Sequence, residues 1–191
     1  LGAKCSIGDQ LHPTGRICYD TYQLIGSVYG KVEAAEPWCE DAKPLVDIGL
    51  MTPEEFTGGR LHDAALGAVR ILQESRHQFD VIDSESDFSP YRVLVLPDEI
   101  PVNDSLAEKL SAFIAAGGTL LASYHSGLAP DERSFNLPEL GVALIAETPL
   151  YPDFIVPGKL SEGLYNTGHV MYLRGMEVSP IAEADVLSWV I

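Results

Sequence analysis

Between residues 43 and 127 the apolar positions change rhythm repeatedly, from short continuous runs to helical spacing and back. Residues 44–50 (PLVDIGL) are predicted as a first strand, followed by a loop over 53–59 that carries Gly58 and Gly59. A helix opens at His62-Asp63 and runs to about His77, with Ala65, Leu66, Val69 and Leu72 on one side. Residues 79–83 (FDVID) form a second short strand, and 91–96 (YRVLVL) an apolar, β-branched run of the buried-strand type, ended by Pro97. Ser105 and Glu108 then stand at capping-box spacing, and Leu106, Leu110, Phe113 and Ile114 recur at i, i+4, i+7 and i+8. Gly117-Gly118 supplies the left-handed residue that stops such a helix, and residues 119–123 (TLLAS) are the strand after it. Strands alternating with helices of this length predict parallel βαβ units in a doubly wound α/β sheet.

The flanks follow other rules. Residues 1–7 are a short mixed segment, and residues 8–15 a turn-rich loop. Asp20 or Thr21 is placed to cap a helix to about Ala35, with Tyr22, Ile25, Val28, Tyr29 and Val32 on one face, and Pro37 is expected to end it. Beyond Gly127 the regularity falls. Residues 138–142 turn into a strand, 150–157 and 170–173 are short strands of a β-rich appendage, and 184–191 is a final apolar segment. The chain is therefore expected to divide into 1–42, a leading segment with a linker helix, and 43–191, the α/β domain.

Composition narrows the function classes. The 191 residues carry 12 basic and 28 acidic side chains, a net charge of −16 that repels phosphate backbones and anionic membranes, so nucleic-acid and membrane partners are excluded. No apolar run approaches the roughly 20 residues of a membrane span. Cys5, Cys18 and Cys39 all precede residue 40, an odd number without metal-ligand spacing, so neither a disulfide framework nor a zinc site is expected. Reduced thiols and the absence of a basic, then apolar, leader predict a cytoplasmic protein. With no initiator Met, the chain is expected to be a piece of something longer.

In a parallel sheet, ligands bind at the carboxyl ends of the strands, here residues 52–60, 83–88, 98–102 and 124–128. Tyr124 and His125 in the last of these, with Asp9 and His12 in the N-terminal loop, are the candidate substrate contacts. Neither Ser123 nor Ser126 has the surroundings of a nucleophile elbow, and His125 is their immediate neighbour rather than a base placed across a site. His169 is the only later histidine. Glu74 with His77 lacks a third metal ligand, and Asp83, Glu85 and Asp87 lack the rest of a calcium loop. Gly58-Gly59 lacks the lysine of a phosphate-binding loop. Trp38 and Trp189 are candidates for sugar stacking or for an interface. No catalytic residue, metal ligand or cofactor site is assigned.

Three segments carry a resemblance. Tyr91-Arg92-Val93-Leu94-Val95-Leu96-Pro97, the helix end Phe113-Ile114-Ala115-Ala116-Gly117-Gly118-Thr119-Leu120, and Ser123-Tyr124-His125-Ser126-Gly127 are similar to the β-galactosidase trimerisation domain of family-42 glycoside hydrolases. The flanks, residues 1–13 and 169–175, better resemble a related group that includes α-L-fucosidase-like enzymes. The resemblance implies a flavodoxin-like, class I glutamine-amidotransferase-like fold with a small β-rich appendage. An amidotransferase would present a cysteine after the strand ending near Ser123; this chain has none there. The resemblance also implies that residues 1 to about 20 are the last strand and loop of a preceding (β/α)8 barrel, with the catalytic carboxylates upstream. The implied role is non-catalytic assembly of a bacterial glycoside hydrolase into a homo-oligomer, a trimer or dimer, which meets its carbohydrate substrate through the parent enzyme. Two other functions remain open on the residues: a serine hydrolase or amidotransferase-like enzyme, and a sugar-binding module.

Overall fold

A computed structural model describes residues 5–60, 62–181 and 184–191. The chain forms two compact units, Leu1–Leu45 and Val46–Ile191.

In the first unit, residues 5–18 are loop and turn, with the Gly15 N–H donating to the His12 carbonyl at 2.7 Å. No strand is formed there, since a strand needs a neighbour to pair with; residues 1–4, where the expected barrel strand begins, lie outside the described residues. Helix α1 (Tyr19–Cys39) starts after Cys18 rather than under an Asp20 or Thr21 cap, and it runs through Pro37. A proline this close to a helix end forfeits one intrahelical bond without stopping the ladder, and the Glu40 N–H still donates to Glu36 at 2.9 Å. The Tyr29 hydroxyl donates to the Cys5 carbonyl at 3.4 Å.

The second unit is built on a four-stranded sheet of β1 (Ile48–Met51), β2 (Phe79–Ile82), β3 (Val93–Leu96) and β4 (Thr119–Ala122), in the order β2-β1-β3-β4. Every pairing is parallel. This is the opening order of the flavodoxin-type sheet, and the α/β fold is the one the alternating rhythms predict. Register places Gly49, Met51, Ile82, Leu94, Leu96, Leu120 and Ala122 on one face. A Cβ at Gly49 would stand 2.7 Å from the Ile82 side chain and 2.8 Å from that of Leu94, so the first strand needs glycine at this point.

That face meets the core. Helix α4 (Asp104–Ala115), between β3 and β4, buries Leu106, Leu110 and Phe113 against it, and Ile100, Val102, Phe88 and Leu137 complete the cluster. The capping box at Ser105 and Glu108 is not the device that starts this helix. Asn103 is the N-cap, its side-chain oxygen accepting the Leu106 N–H at 2.9 Å. The stop is as expected: Gly117 takes φ +97°, its N–H donates to Ile114 at 2.9 Å, and the Gly118 N–H donates to Phe113 at 3.0 Å, which is a Schellman closure.

Between β1 and β2 lie a one-turn helix, α2 (Glu54–Thr57), inside the expected loop, and then α3 (Asp63–Glu74), which ends about three residues earlier than expected. The β2–β3 connection has no helix. Residues 83–92 fold into turns tied by their own acids: Ser86 donates its N–H and hydroxyl to Asp83 (2.9 and 2.6 Å), and Ser89 donates its own to Asp87 (2.9 and 2.8 Å). Phe88 stands where a helix side chain would, edge-on to Phe113, with the Lys109 ammonium 4.3 Å from its ring centre.

After Gly127 the chain leaves the sheet for antiparallel pairs. β5 (Val142–Glu147) pairs with β8 (Met176–Pro180), and β6 (Asp153–Val156) lies between β7 (His169–Met171) and β9 (Trp189–Val190). β8 was outside the sequence expectations: five residues ending in proline give little periodic signal. None of the described helices is long and apolar enough to cross a membrane.

Candidate functional site

The chain moves one way from β1 through α3 to β2, and the opposite way from β3 through α4 to β4. The switch between β1 and β3 opens a crevice at their carboxyl ends, where α/β sheets bind ligands. Three segments border it: the turn after β1, the turn after β3, and the elbow after β4. A cleft of about 450 Å3 lies here, lined by Phe56, Thr57, Glu99, Pro101, His125 and Glu132 among others.

The elbow holds the first decisive geometry. Its left-handed residue is Tyr124, φ +49°, not Ser123 or Ser126. A nucleophile elbow puts its reactive side chain on that strained residue, so the position is filled by a phenol. The two serines are structural ties to the end of β3. The Ser123 hydroxyl donates to Asp98 Oδ1 at 2.7 Å and accepts the Asp98 N–H at 3.0 Å. Ser126, 1% exposed, accepts the Ile100 N–H on its hydroxyl oxygen at 3.2 Å. No helix begins after the elbow; the chain turns through residues 124–127 and pairs Leu128 with Phe135. The helix N-terminus that would offer oxyanion donors to a serine is therefore replaced by a turn.

His125 lies flat on Tyr124, ring centres 3.8 Å apart and planes 12° from parallel. Of these two neighbours in the chain, His125 lines the cleft. Asp9 and His12 belong to the first unit, where His12 Nδ1 lies 2.9 Å from the Thr14 hydroxyl. His169 sits in β7 with Nε2 2.9 Å from the Tyr165 carbonyl.

Glu74 pairs with Arg70 at 3.1 Å. Among the described residues no group of three or more His, Cys, Asp and Glu is placed to hold a metal ion. The Ser86 hydroxyl holds the Asp83 carboxyl below its ordinary range, and the Ser89 N–H and hydroxyl do the same for Asp87. Trp38 and Trp189 are both exposed, 87% and 63%. A wider hollow of about 760 Å3 opens at the amino ends of the strands, beside Tyr91, Arg92 and Lys109, the end of a parallel sheet where ligands are not expected.

One constellation escaped the sequence reading. Thr57 Oγ1 lies 2.7 Å from His62 Nε2, and His62 Nδ1 lies 3.3 Å from Glu99 Oε2. The signal was the Gly58-Gly59 pair: a Cβ at Gly59 would stand 2.9 Å from His62 Nε2, so glycine there makes room for the imidazole. Glu99 comes from a different loop, and nothing in local spacing joins it to the other two.

The family model described as β-galactosidase trimerisation domain matches residues 70–141, the segment from α3 through the elbow to the start of the appendage. That part of the chain is a trimerisation domain of the kind found in β-galactosidase-type glycoside hydrolases. The β-galactosidase BglY of Alicyclobacillus acidocaldarius is 31% identical, over 76% of this chain and 22% of its own length. Among solved structures, α-L-fucosidase isoenzyme 2 from Paenibacillus thiaminolyticus superposes with a TM-score of 0.81 at 41% identity, over 98% of this chain and 29% of that one. A β-galactosidase from Bacillus circulans sp. alkalophilus gives 0.70 at 19% identity, over 93% and 29%, a likeness of fold. The chain thus spans less than a third of each of these relatives.

Proposed function

We propose that this chain is the assembly portion of a glycoside hydrolase of the α-L-fucosidase type, holding the parent enzyme in a homo-oligomer, with a trimer as the first expectation. The observation that carries the fucosidase reading is the 41% identity to the fucosidase across 98% of the chain, flanks included, against 31% over 76% for the β-galactosidase relative. Assembly is supported by the trimerisation-domain match together with an elbow that carries Tyr124 where a nucleophile would stand. On this reading residues 1–42 are the end of a preceding barrel with a linking helix, and the sugar chemistry belongs to carboxylates outside this chain. The free thiols Cys5, Cys18 and Cys39 favour a reducing, cytoplasmic setting.

A β-galactosidase parent is the second reading, favoured by the description of the matched family. Full-length protein assayed on p-nitrophenyl α-L-fucoside and β-D-galactoside, with its mass followed by sedimentation, separates the two. Fucoside turnover by a trimer or dimer is expected. Preference for the galactoside would replace the first reading by the second, and a monomer at micromolar concentration would remove the assembly role.

A further inference from the structure

The contacts among Thr57, His62 and Glu99 have an internal logic that loop packing does not require. His62 Nδ1 lies 3.3 Å from Glu99 Oε2, an ion-pair distance, and Nε2 faces the Thr57 hydroxyl at 2.7 Å, where a neutral imidazole can accept. The hydroxyl has a second acceptor within reach, the Pro53 carbonyl at 3.0 Å, and it accepts the Gly59 N–H at 3.3 Å. The shorter of the two donor paths leads to the imidazole. A hydroxyl beside a base, with the base oriented by a carboxylate, is the arrangement that activates a nucleophile.

Position supports the same reading. Thr57 and Glu99 both line the cleft at the β1/β3 switch point, and the His62 side chain is 17% exposed, so the base is shielded. Phe56, Pro101, Leu128, Ala129 and Pro130 give the cleft apolar walls, and its charged lining groups are the acids Glu99 and Glu132. Such a cleft disfavours anionic substrates and accepts small neutral ones.

We propose that Thr57, His62 and Glu99 form a hydrolytic site for neutral, short-chain carboxylic esters, separate from the assembly role and independent of it. Thr57 Oγ1 attacks the ester carbonyl carbon while its proton passes to His62 Nε2. The carbon–oxygen bond to the alcohol then breaks, and His62 returns the proton to the departing oxygen, leaving an acyl-threonine. Water attacks that acyl group, giving its proton to His62, and the carboxylic acid leaves as Thr57 Oγ1 recovers a proton. Nothing is oxidised or reduced. Glu99 is a positioning residue, holding the imidazole in the tautomer that leaves Nε2 free.

The test uses the full-length protein and a neutral alkyl fluorophosphonate, with labelled peptides located by mass spectrometry and p-nitrophenyl acetate hydrolysis followed in parallel. Label is expected on the Thr57 peptide, absent in T57V, retained in T57S, and formed about a hundredfold more slowly in H62Q. E99Q is expected to slow labelling and to lower kcat for p-nitrophenyl acetate with KM unchanged, because the carboxylate acts on the orientation of the imidazole and not on substrate binding. An unlabelled Thr57 in protein with unchanged circular dichroism and melting temperature overturns the proposal. So does equal labelling in H62Q, which would show a hydroxyl that is merely accessible. Neither result bears on oligomer mass or glycoside preference, so this site and the assembly reading fail separately.

Discussion

Tyr124 is held in a left-handed conformation that costs a non-glycine residue on the order of 1–2 kcal/mol, and the strain is offset by local bonds. Ser123 and Ser126 fasten the elbow to the end of β3, and the stacked His125 ring covers the phenol. The sequence shows two serines beside a histidine and invites a catalytic reading; their hydroxyls are instead committed to the Asp98 and Ile100 amides. Tyr91 illustrates another effect visible only in the folded chain. Burial, then the Asp80 carboxylate that accepts its hydroxyl at 3.1 Å, raises the phenol above its ordinary value of 10.0. A folded-state value raised in this way gives stability that is fully present below pH 10 and lost as pH rises through the folded value. Melting temperatures measured from pH 8 to 11 should therefore fall on the alkaline side, and Tyr91→Phe should flatten that fall while lowering the plateau slightly through the lost bond to Asp80. An unchanged alkaline slope in the variant would mean that another group dominates there.

At the scale of elements, α4 shows how a correct helix can be read with the wrong first turn. Ser105 with Glu108 fits the capping-box spacing, but Asn103 lies two residues earlier and its side-chain oxygen takes the Leu106 N–H, so the helix that buries Leu106, Leu110 and Phe113 already starts at Asp104. Burying that apolar face outweighs the choice between two capping side chains, each worth about 1 kcal/mol. Asn103→Ala should thus cost about 1 kcal/mol in chemical denaturation, and Ser105→Ala less than about 0.5 kcal/mol. The reverse order would restore the capping box. The β2–β3 connection was legible as a loop, since Asp83, Glu85, Ser86, Asp87 and Ser89 have turn-forming side chains. That Phe88 replaces a helix in the core was not legible, because one aromatic residue carries no periodicity.

For the whole molecule, charge opposes assembly. Copies of a chain with net charge −16 repel one another, so apolar contacts in an oligomer must exceed that repulsion. Raising ionic strength from about 0.02 to 0.2 M shortens the screening length from roughly 20 to 7 Å and should strengthen self-association, seen as a rising weight-average mass in sedimentation equilibrium. Weakening with salt would instead point to an interface of paired opposite charges.

The sequence alone determined the α/β rhythm, the parallel sheet, the Schellman stop at Gly117-Gly118, the absence of a cysteine at the elbow and the family resemblance, because periodicity and glycine chemistry act over a few neighbouring residues. The tertiary structure decided which residue of 123–126 takes the strained position, what the serine hydroxyls bond to, and how Thr57, His62 and Glu99 meet. Those relations join loops up to 42 residues apart in the chain, from Thr57 to Glu99, and only the packing of β1 beside β3 brings such loops to one end of the sheet.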